Sequence, residues 1–292
     1  MIRIEVVHKG ADQLGETPLW CERLQKLWWL DIEKPKLQSW DPEAKQQASH
    51  AFETTFLGAQ ALTLNDRKRL VATGNLLQVF DLETGVLTPF ATVESGDGTR
   101  LNDGRVDARG RLWIGTMDNA LHRGVGSLYR VDPDGSVHRQ FGDVVVANGI
   151  AFSPDNRTAY FTDTRRYGTW AFDFDLDDGK LSGRRLFADY SATRQRPDGA
   201  TVDADGCLWQ AFFAGGRLVR YRPDGKIDRE VRVPVTNPTC LCFGGSDFRT
   251  AFVTSAAKFL SAGQLADEPL AGALLAVEGM GQGLPEHRFA ID

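Results

Sequence analysis

The sequence is short of the residues that mark several functional classes. It has only four cysteines in 292 residues, Cys21, Cys207, Cys240 and Cys242, which is too few for a disulfide scaffold. Cys240 and Cys242 stand at period 2 on a strand-like run, so they are expected on one buried face as reduced thiols. The five histidines lie scattered, and none forms with the cysteines the paired spacing of a structural zinc site. No segment approaches the ~18 apolar residues of a membrane span. Met1 to His8 is interrupted by Glu5 and has no uninterrupted apolar core of a secretory signal, so a cytoplasmic location is expected.

Basic runs are missing as well. The longest are the pairs Arg165-Arg166 and Arg184-Arg185, which are expected on solvated faces. With 34 Lys and Arg against 39 Asp and Glu, the net charge of −5 gives no attraction to nucleic acid or anionic lipid. No Gly-x-Ser-x-Gly elbow or phosphate loop is present, and Gly279 to Gly283 has neither the spacing nor a following helix. No stretch of about ten residues shows helical periodicity. Nothing points to an obligatory protein partner.

What the chain does have is a repeat. One copy runs Gly104-Arg-Val-Asp-Ala-Arg-Gly110, Arg111-Leu-Trp-Ile-Gly-Thr-Met-Asp118, then Gly126-Ser-Leu-Tyr-Arg-Val-Asp-Pro-Asp-Gly135. Another begins Gly199-Ala-Thr-Val-Asp-Ala-Asp-Gly206 and continues through Cys207-Leu-Trp to Asp224-Gly225. Further copies start near Pro18, Ala61 and Gly149, with a degenerate one near Thr239. The period of roughly 40 to 50 residues is that of four short strands per propeller blade. Alternating Val, Thr, Phe, Tyr and Trp, punctuated by Gly, Pro or Asp, exclude a helical solenoid. Six copies without a linker predict one all-β domain over residues 1–292, a six-bladed β-propeller of four antiparallel strands per blade. Ring closure protects strand edges. The strand at residues 2–7 is expected to complete the last blade beside Leu274 to Val277 or Arg288 to Ile291. Trp28, Trp29, Trp113 and Trp209 fall on second strands and are expected to pack between blades.

In such a ring the first strand of each blade lines a central channel. Stepping back four residues from the apolar anchor of each inner strand leads to Glu16, Gln60, Asn102, Asn148 and Asp198, and in the sixth repeat to Pro238. Asn148-Gly149 and Asp198-Gly199 taken alone read as turn dipeptides. A shared register of five oxygen-bearing side chains suits a divalent cation, which needs several oxygen donors converging on one point.

These residues also carry a resemblance. Gly15-Glu-Thr-Pro-Leu-Trp20, Arg100-Leu-Asn-Asp-Gly104 with Gly115-Thr-Met117, Ala147-Asn-Gly149, Pro197-Asp-Gly199 and Phe243-Gly-Gly245 resemble signature elements of the gluconolactonase family that includes regucalcin. The likeness implies one divalent metal held by Glu16, Asn148 and Asp198, with Asp198 also the general base. It further implies that Arg100 and Asn102 contact the hydroxyls of a sugar lactone that is hydrolysed to the aldonic acid. The chain departs from the mammalian pattern after Met117, where Asp118, Asn119 and Ala120 stand in place of a substrate-touching Glu. Asp103 is expected to cap a turn or to position Arg100 or Asn102.

The chemistry suited to these groups is metal-assisted acyl transfer to water. The residues leave two bases open, the Asp198 carboxylate and a hydroxide on the metal. An all-oxygen set suits Ca²⁺, Mg²⁺ or Mn²⁺, while Zn²⁺ and Fe²⁺ also accept carboxylates. Two other functions fit the same pattern: a propeller esterase or organophosphate hydrolase, and a non-catalytic metal-binding scaffold.

Overall fold

The computed structural model describes residues 1–10 and 12–292, whose strands form six four-stranded antiparallel sheets. The inner strands of blades 1 to 6 are Gly15–Cys21, Leu57–Leu62, Thr99–Val106, Ala147–Phe152, Arg196–Val202 and Pro238–Gly244. Each packs against the inner strand of the next blade, and that of blade 6 packs against that of blade 1, so the ring closes into a six-bladed β-propeller. Arg3–His8 pairs antiparallel with Leu274–Glu278 as the outer strand of blade 6. Of the two partners the sequence allowed, the first is therefore the one used. The second, around Phe289, instead runs beneath blades 2 and 3, where Phe289 bridges Thr63 and Ala290 donates to the Gly110 carbonyl.

Position in the blade sets composition. Inner strands are held between neighbours on both faces, and those of blades 1, 2 and 6 are buried at every residue. The outer strand Gln46–Ala51 is exposed at every residue and carries polar Gln46, Gln47, Ser49 and His50. The core lies between the blades. Trp209, Leu218, Leu241, Phe243 and Val253 cluster between blades 5 and 6, and Trp20 stacks on Phe252 with centroids 5.6 Å apart. Trp29, Trp113 and Trp209 are fully buried, as expected of packing residues, whereas Trp28 is half-buried under the Arg69 guanidinium.

The Asp-x-x-Gly signature has a structural cause. Asp107 and Asp203 each accept from the backbone N–H two residues on, which closes a tight turn. The turn ends at Gly110 (φ 76°) or Gly206 (φ 80°), in the left-handed region that favours glycine. The second oxygen of the same carboxylate accepts the indole N–H of Trp113 at 2.8 Å or Trp209 at 3.0 Å. One side chain thus shapes the turn and satisfies a buried donor that would otherwise be costly. All four cysteines are free and buried. Among the described residues the one helix is Ala262–Asp267, capped by Ser261, and no helix is long and apolar enough to cross a membrane.

Candidate active site

One feature recurs in all six blades and positions the site: every inner strand carries a β-bulge near its start. The breaks in pairing lie between Glu16 and Leu19, Leu57 and Gln60, Leu101 and Gly104, Asn148 and Ala151, Pro197 and Ala200, and Pro238 and Leu241. A bulge inserts an unpaired residue and re-aims its side chain. Here it turns neighbouring positions toward one end of the channel, where a cavity of about 570 Å³, its open mouth included, is lined by Glu16, Arg100, Asn102, Asn148 and Asp198.

The single register expected from the sequence divides at these bulges. Glu16 and Asn148 are the last paired residues before the break, whereas Asn102 and Asp198 sit inside it. Gln60 follows the break, and it does not line the cavity; its amide donates to the Thr17 carbonyl at 3.0 Å. Counting residues back from an apolar anchor cannot register an inserted residue, so positions that looked equivalent are not. Asn148-Gly149 and Asp198-Gly199 are likewise bulge elements of inner strands and not turns between strands. Their glycines answer to close packing. A Cβ at Gly149 would lie 2.5 Å from Thr162 Oγ1, and one at Gly199 would lie 2.4 Å from Cys240 Sγ.

The floor of the cavity is a chain of oriented amides. Arg100 Nη1 donates to Asn102 Oδ1 at 2.7 Å and to the Leu101 carbonyl at 3.1 Å. Asn102 Nδ2 donates to the Ala147 carbonyl at 2.8 Å and to Asn148 Oδ1 at 3.1 Å. Asn148 Nδ2 donates in turn to Thr164 Oγ1, whose hydroxyl donates to the Pro197 carbonyl. With its NH₂ turned to Thr164 by one hydrogen bond, Asn148 presents carbonyl oxygen to the floor, with one lone pair beyond the bond from Asn102. Gln210 holds the backbone of Asp198 by donating to its carbonyl.

Two carboxylates share this floor without an ion pair among the described residues. Glu16 Oε2 accepts only the N–H of Thr17. Burial, with the nearby charge of Asp103, pushes the Glu16 carboxyl up to about 8. Burial, with the charges of Glu16 and Asp103, also pushes Asp198 well above the usual carboxylate range. The opposing cation is Arg100, itself buried over the Phe56 ring at 5.0 Å and lowered to about 10 by desolvation. Burial and neighbouring carboxylate charge make such a pair bind protons tightly, and a divalent cation is the alternative source of positive charge.

Asp103 takes neither role expected of it. Its Oδ2 accepts the backbone N–H of Ile150 at 2.9 Å, tying the inner strand of blade 3 to that of blade 4. Asp118 points away from the cavity. It is buried, held below the usual carboxylate range by Arg123, and shapes the following loop by accepting the N–H groups of His122 and Arg123. That loop brings Leu121 to the cavity wall, beside Met117, Val146 and Phe213.

The sequence reading missed three cations at the rim, Arg165, Arg196 and Lys258. Arg165 is half-buried against the cavity, so of the pair Arg165-Arg166 only Arg166 lies on an exposed face. A signal for Arg196 was present. Arg100-Leu101-Asn102 and Arg196-Pro197-Asp198 place an arginine two residues before the bulge in blades 3 and 5, opposite Met117 and Phe213 respectively.

Residues 14–257 match the family model described as SMP-30/Gluconolactonase/LRE-like region. A 6-deoxy-6-sulfogluconolactonase of Pseudomonas putida is 36% identical over 292 residues, covering 98% of this chain and 98% of that protein. Regucalcin of Danio rerio is 35% identical over 99% of this chain and 98% of its own length. A solved structure described as a calcium-binding protein, regucalcin, from Agrobacterium tumefaciens strain C58 superposes with a TM-score of 0.93 at 32% identity, covering 98% of this chain and 97% of that one.

Proposed function

This chain belongs to the SMP-30/gluconolactonase/LRE-like family, and we propose that it is a lactonase that hydrolyses an aldonolactone to the aldonic acid with one divalent metal ion held by Glu16, Asn148 and Asp198. The observation that carries this reading is the pair of buried, unpaired carboxylates beside an asparagine oxygen whose amide group is oriented by a bond to Thr164. Two anionic oxygens and one neutral oxygen suit a hard divalent cation. The relative named 6-deoxy-6-sulfogluconolactonase supports the reaction class, and the relative described as calcium-binding makes Ca²⁺ the first metal to test.

The chemistry such a cation supplies when bound is Lewis-acid polarisation of the lactone carbonyl and stabilisation of the negative charge developing on its oxygen. The remaining work falls to the protein. Asp198 accepts a proton from water as the water oxygen bonds to the carbonyl carbon, then returns it to the ring oxygen as the ester C–O bond breaks. Arg100 uses only Nη1 on protein acceptors, leaving its other nitrogens for sugar hydroxyls. Both N–H bonds of Asn102 are committed, so it meets the sugar through the remaining lone pair of Oδ1. Leu14, Met117, Val146 and Phe213 supply an apolar wall that strengthens these polar contacts. The six blades act as one domain, each giving its inner strand to a common axis.

The test is a pH-indicator assay of chelator-stripped protein on five- and six-membered aldonolactones, with each divalent metal added back and spontaneous hydrolysis subtracted. Turnover restored by one metal supports the proposal. Folded, metal-loaded protein with no rate above background refutes it, and a large preference for a phosphotriester reassigns the substrate.

A further inference from the structure

The rim of the cavity carries more positive charge than the proposed reaction uses. Several half-buried or buried arginines of this chain are matched by carboxylates, while Arg69 and Arg229 donate to backbone carbonyls. Arg220 pairs with Asp203, Asp205 and Asp228, Arg288 with Glu22 and Asp66, and Arg105 with Glu286. Two rim arginines have no carboxylate partner among the described residues. Arg165 donates from Nε to the Leu121 carbonyl at 3.0 Å, and its two terminal nitrogens meet no acceptor among the described residues. Arg196 has no side-chain hydrogen bond or ion pair among the described residues, although it is half-buried in the cavity wall. Lys258, the third rim cation, is already paired with Glu33.

Arg165 and Arg196 belong to adjacent blades, 4 and 5, and flank the same opening. A guanidinium partly removed from water without a counter-ion is unfavourable, and its planar fork matches the oxygens of a carboxylate, sulfonate or phosphate. The chain as a whole has a net charge of −5, so an unbalanced positive arc at one cavity mouth is a local feature. The apolar side chains Leu121, Phe213 and Phe259 stand among these cations, which strengthens attraction to an anion there. With the lactone carbonyl at the carboxylate floor, the mouth receives the opposite end of the sugar.

We propose that Arg165 and Arg196 form a subsite for an anionic oxygen-rich group, carried by the lactone at the end remote from its carbonyl, and that they select anionic over neutral aldonolactones. This inference rests on the lactonase reading above. A neutral sugar leaves both guanidinium groups unpaired, whereas a carboxylate, sulfonate or phosphate ester pairs with them, so the selectivity falls chiefly on KM.

The experiment compares kcat/KM of the metal-loaded protein for D-glucono-1,5-lactone, its 6-phosphate, its 6-deoxy-6-sulfonate and a glucarolactone, which separates the three anion types. At least one anionic lactone is expected to be preferred about tenfold or more, with a preference that shrinks as salt rises. Arg165→Gln and Arg196→Gln are each expected to cut the anionic-to-neutral ratio about tenfold through KM, with Arg196→Lys restoring part of it. Equal turnover of neutral and anionic lactones, or a ratio unmoved in both glutamine variants, overturns the subsite and leaves the lactonase reading standing. If no lactone of any charge is hydrolysed, the lactonase reading is what fails. Calorimetric binding of 6-phosphogluconate against gluconate to wild type and to the double glutamine variant then decides the subsite. A preference for the phosphate that the variant loses sustains it, and no preference in wild type overturns it.

Discussion

Arg100 and Arg105 lie on the same inner strand, Thr99–Val106, and serve opposite ends of the channel. All three side-chain nitrogens of Arg105 have a partner: it donates to the Ile150 and Ala200 carbonyls and pairs with Glu286, which the C-terminal segment brings beneath the ring. Against the cost of burial, the charge and hydrogen bond of Glu286 raise its proton affinity above the ordinary arginine range. Arg100 has no carboxylate partner among the described residues, and burial lowers it to about 10. The carboxylates follow suit. Glu286 is matched, while Glu16 and Asp198 are pushed upward with only Arg100 nearby. A satisfied buried network holds a structure together, and an unsatisfied one is held in readiness for something that comes from outside.

The largest contrast is in activity. Asp198→Asn keeps size and removes both charge and base, so turnover is expected to fall by about a thousandfold or more while circular dichroism is unchanged. At the other mouth, Glu286→Ala leaves Arg105 buried without its partner. About 3 kcal/mol of stability should be lost in chemical denaturation, with kcat per folded molecule retained.

The next contrast is in pH. Glu16 has its folded pKa raised to about 8 from an ordinary value near 4.5, so its contribution to stability is complete below the lower value and is lost as pH rises through the upper one. Metal-stripped protein is therefore expected to lose a few kcal/mol of stability between about pH 5 and pH 8, and Glu16→Gln to flatten that decline in thermal melts. Divalent metal should raise the melting temperature more at pH 8 than at pH 5, because it replaces the protons. The smallest effect belongs to Gln60. Removing its bond to the Thr17 carbonyl in Gln60→Leu should cost about 1 kcal/mol, and metal affinity should fall less than about tenfold, since Gln60 lies outside the cavity.

The repeat made the fold legible, because blades 3 and 5 write their turns as Asp-x-x-Gly and blades 1, 3 and 5 carry a second-strand tryptophan in the core. The closing strand was legible to within two partners. Burial of Leu274, Leu275 and Val277 favours an outer strand beside them, while Phe289 is engaged elsewhere. Glu16, Asn102, Asn148 and Asp198 do meet at one cavity, but by two positions relative to the bulge, which adjacent letters do not reveal. Asp103 looked like a turn residue because its partner, Ile150, lies 47 positions away. Arg165 was hidden for a different reason. It stands in the connection between the second and third strands of blade 4, and nothing local separates it from exposed Arg166.

The central claim is that Glu16, Asn148 and Asp198 hold one divalent cation that the hydrolysis needs. Its most direct test is calorimetric titration of metal into chelator-stripped wild type, Glu16→Gln and Asp198→Asn, with lactone turnover measured on the same samples. The account predicts one site per chain in wild type, and loss of both binding and turnover in each variant. Binding of undiminished affinity in both variants, or turnover that survives without metal, would contradict it.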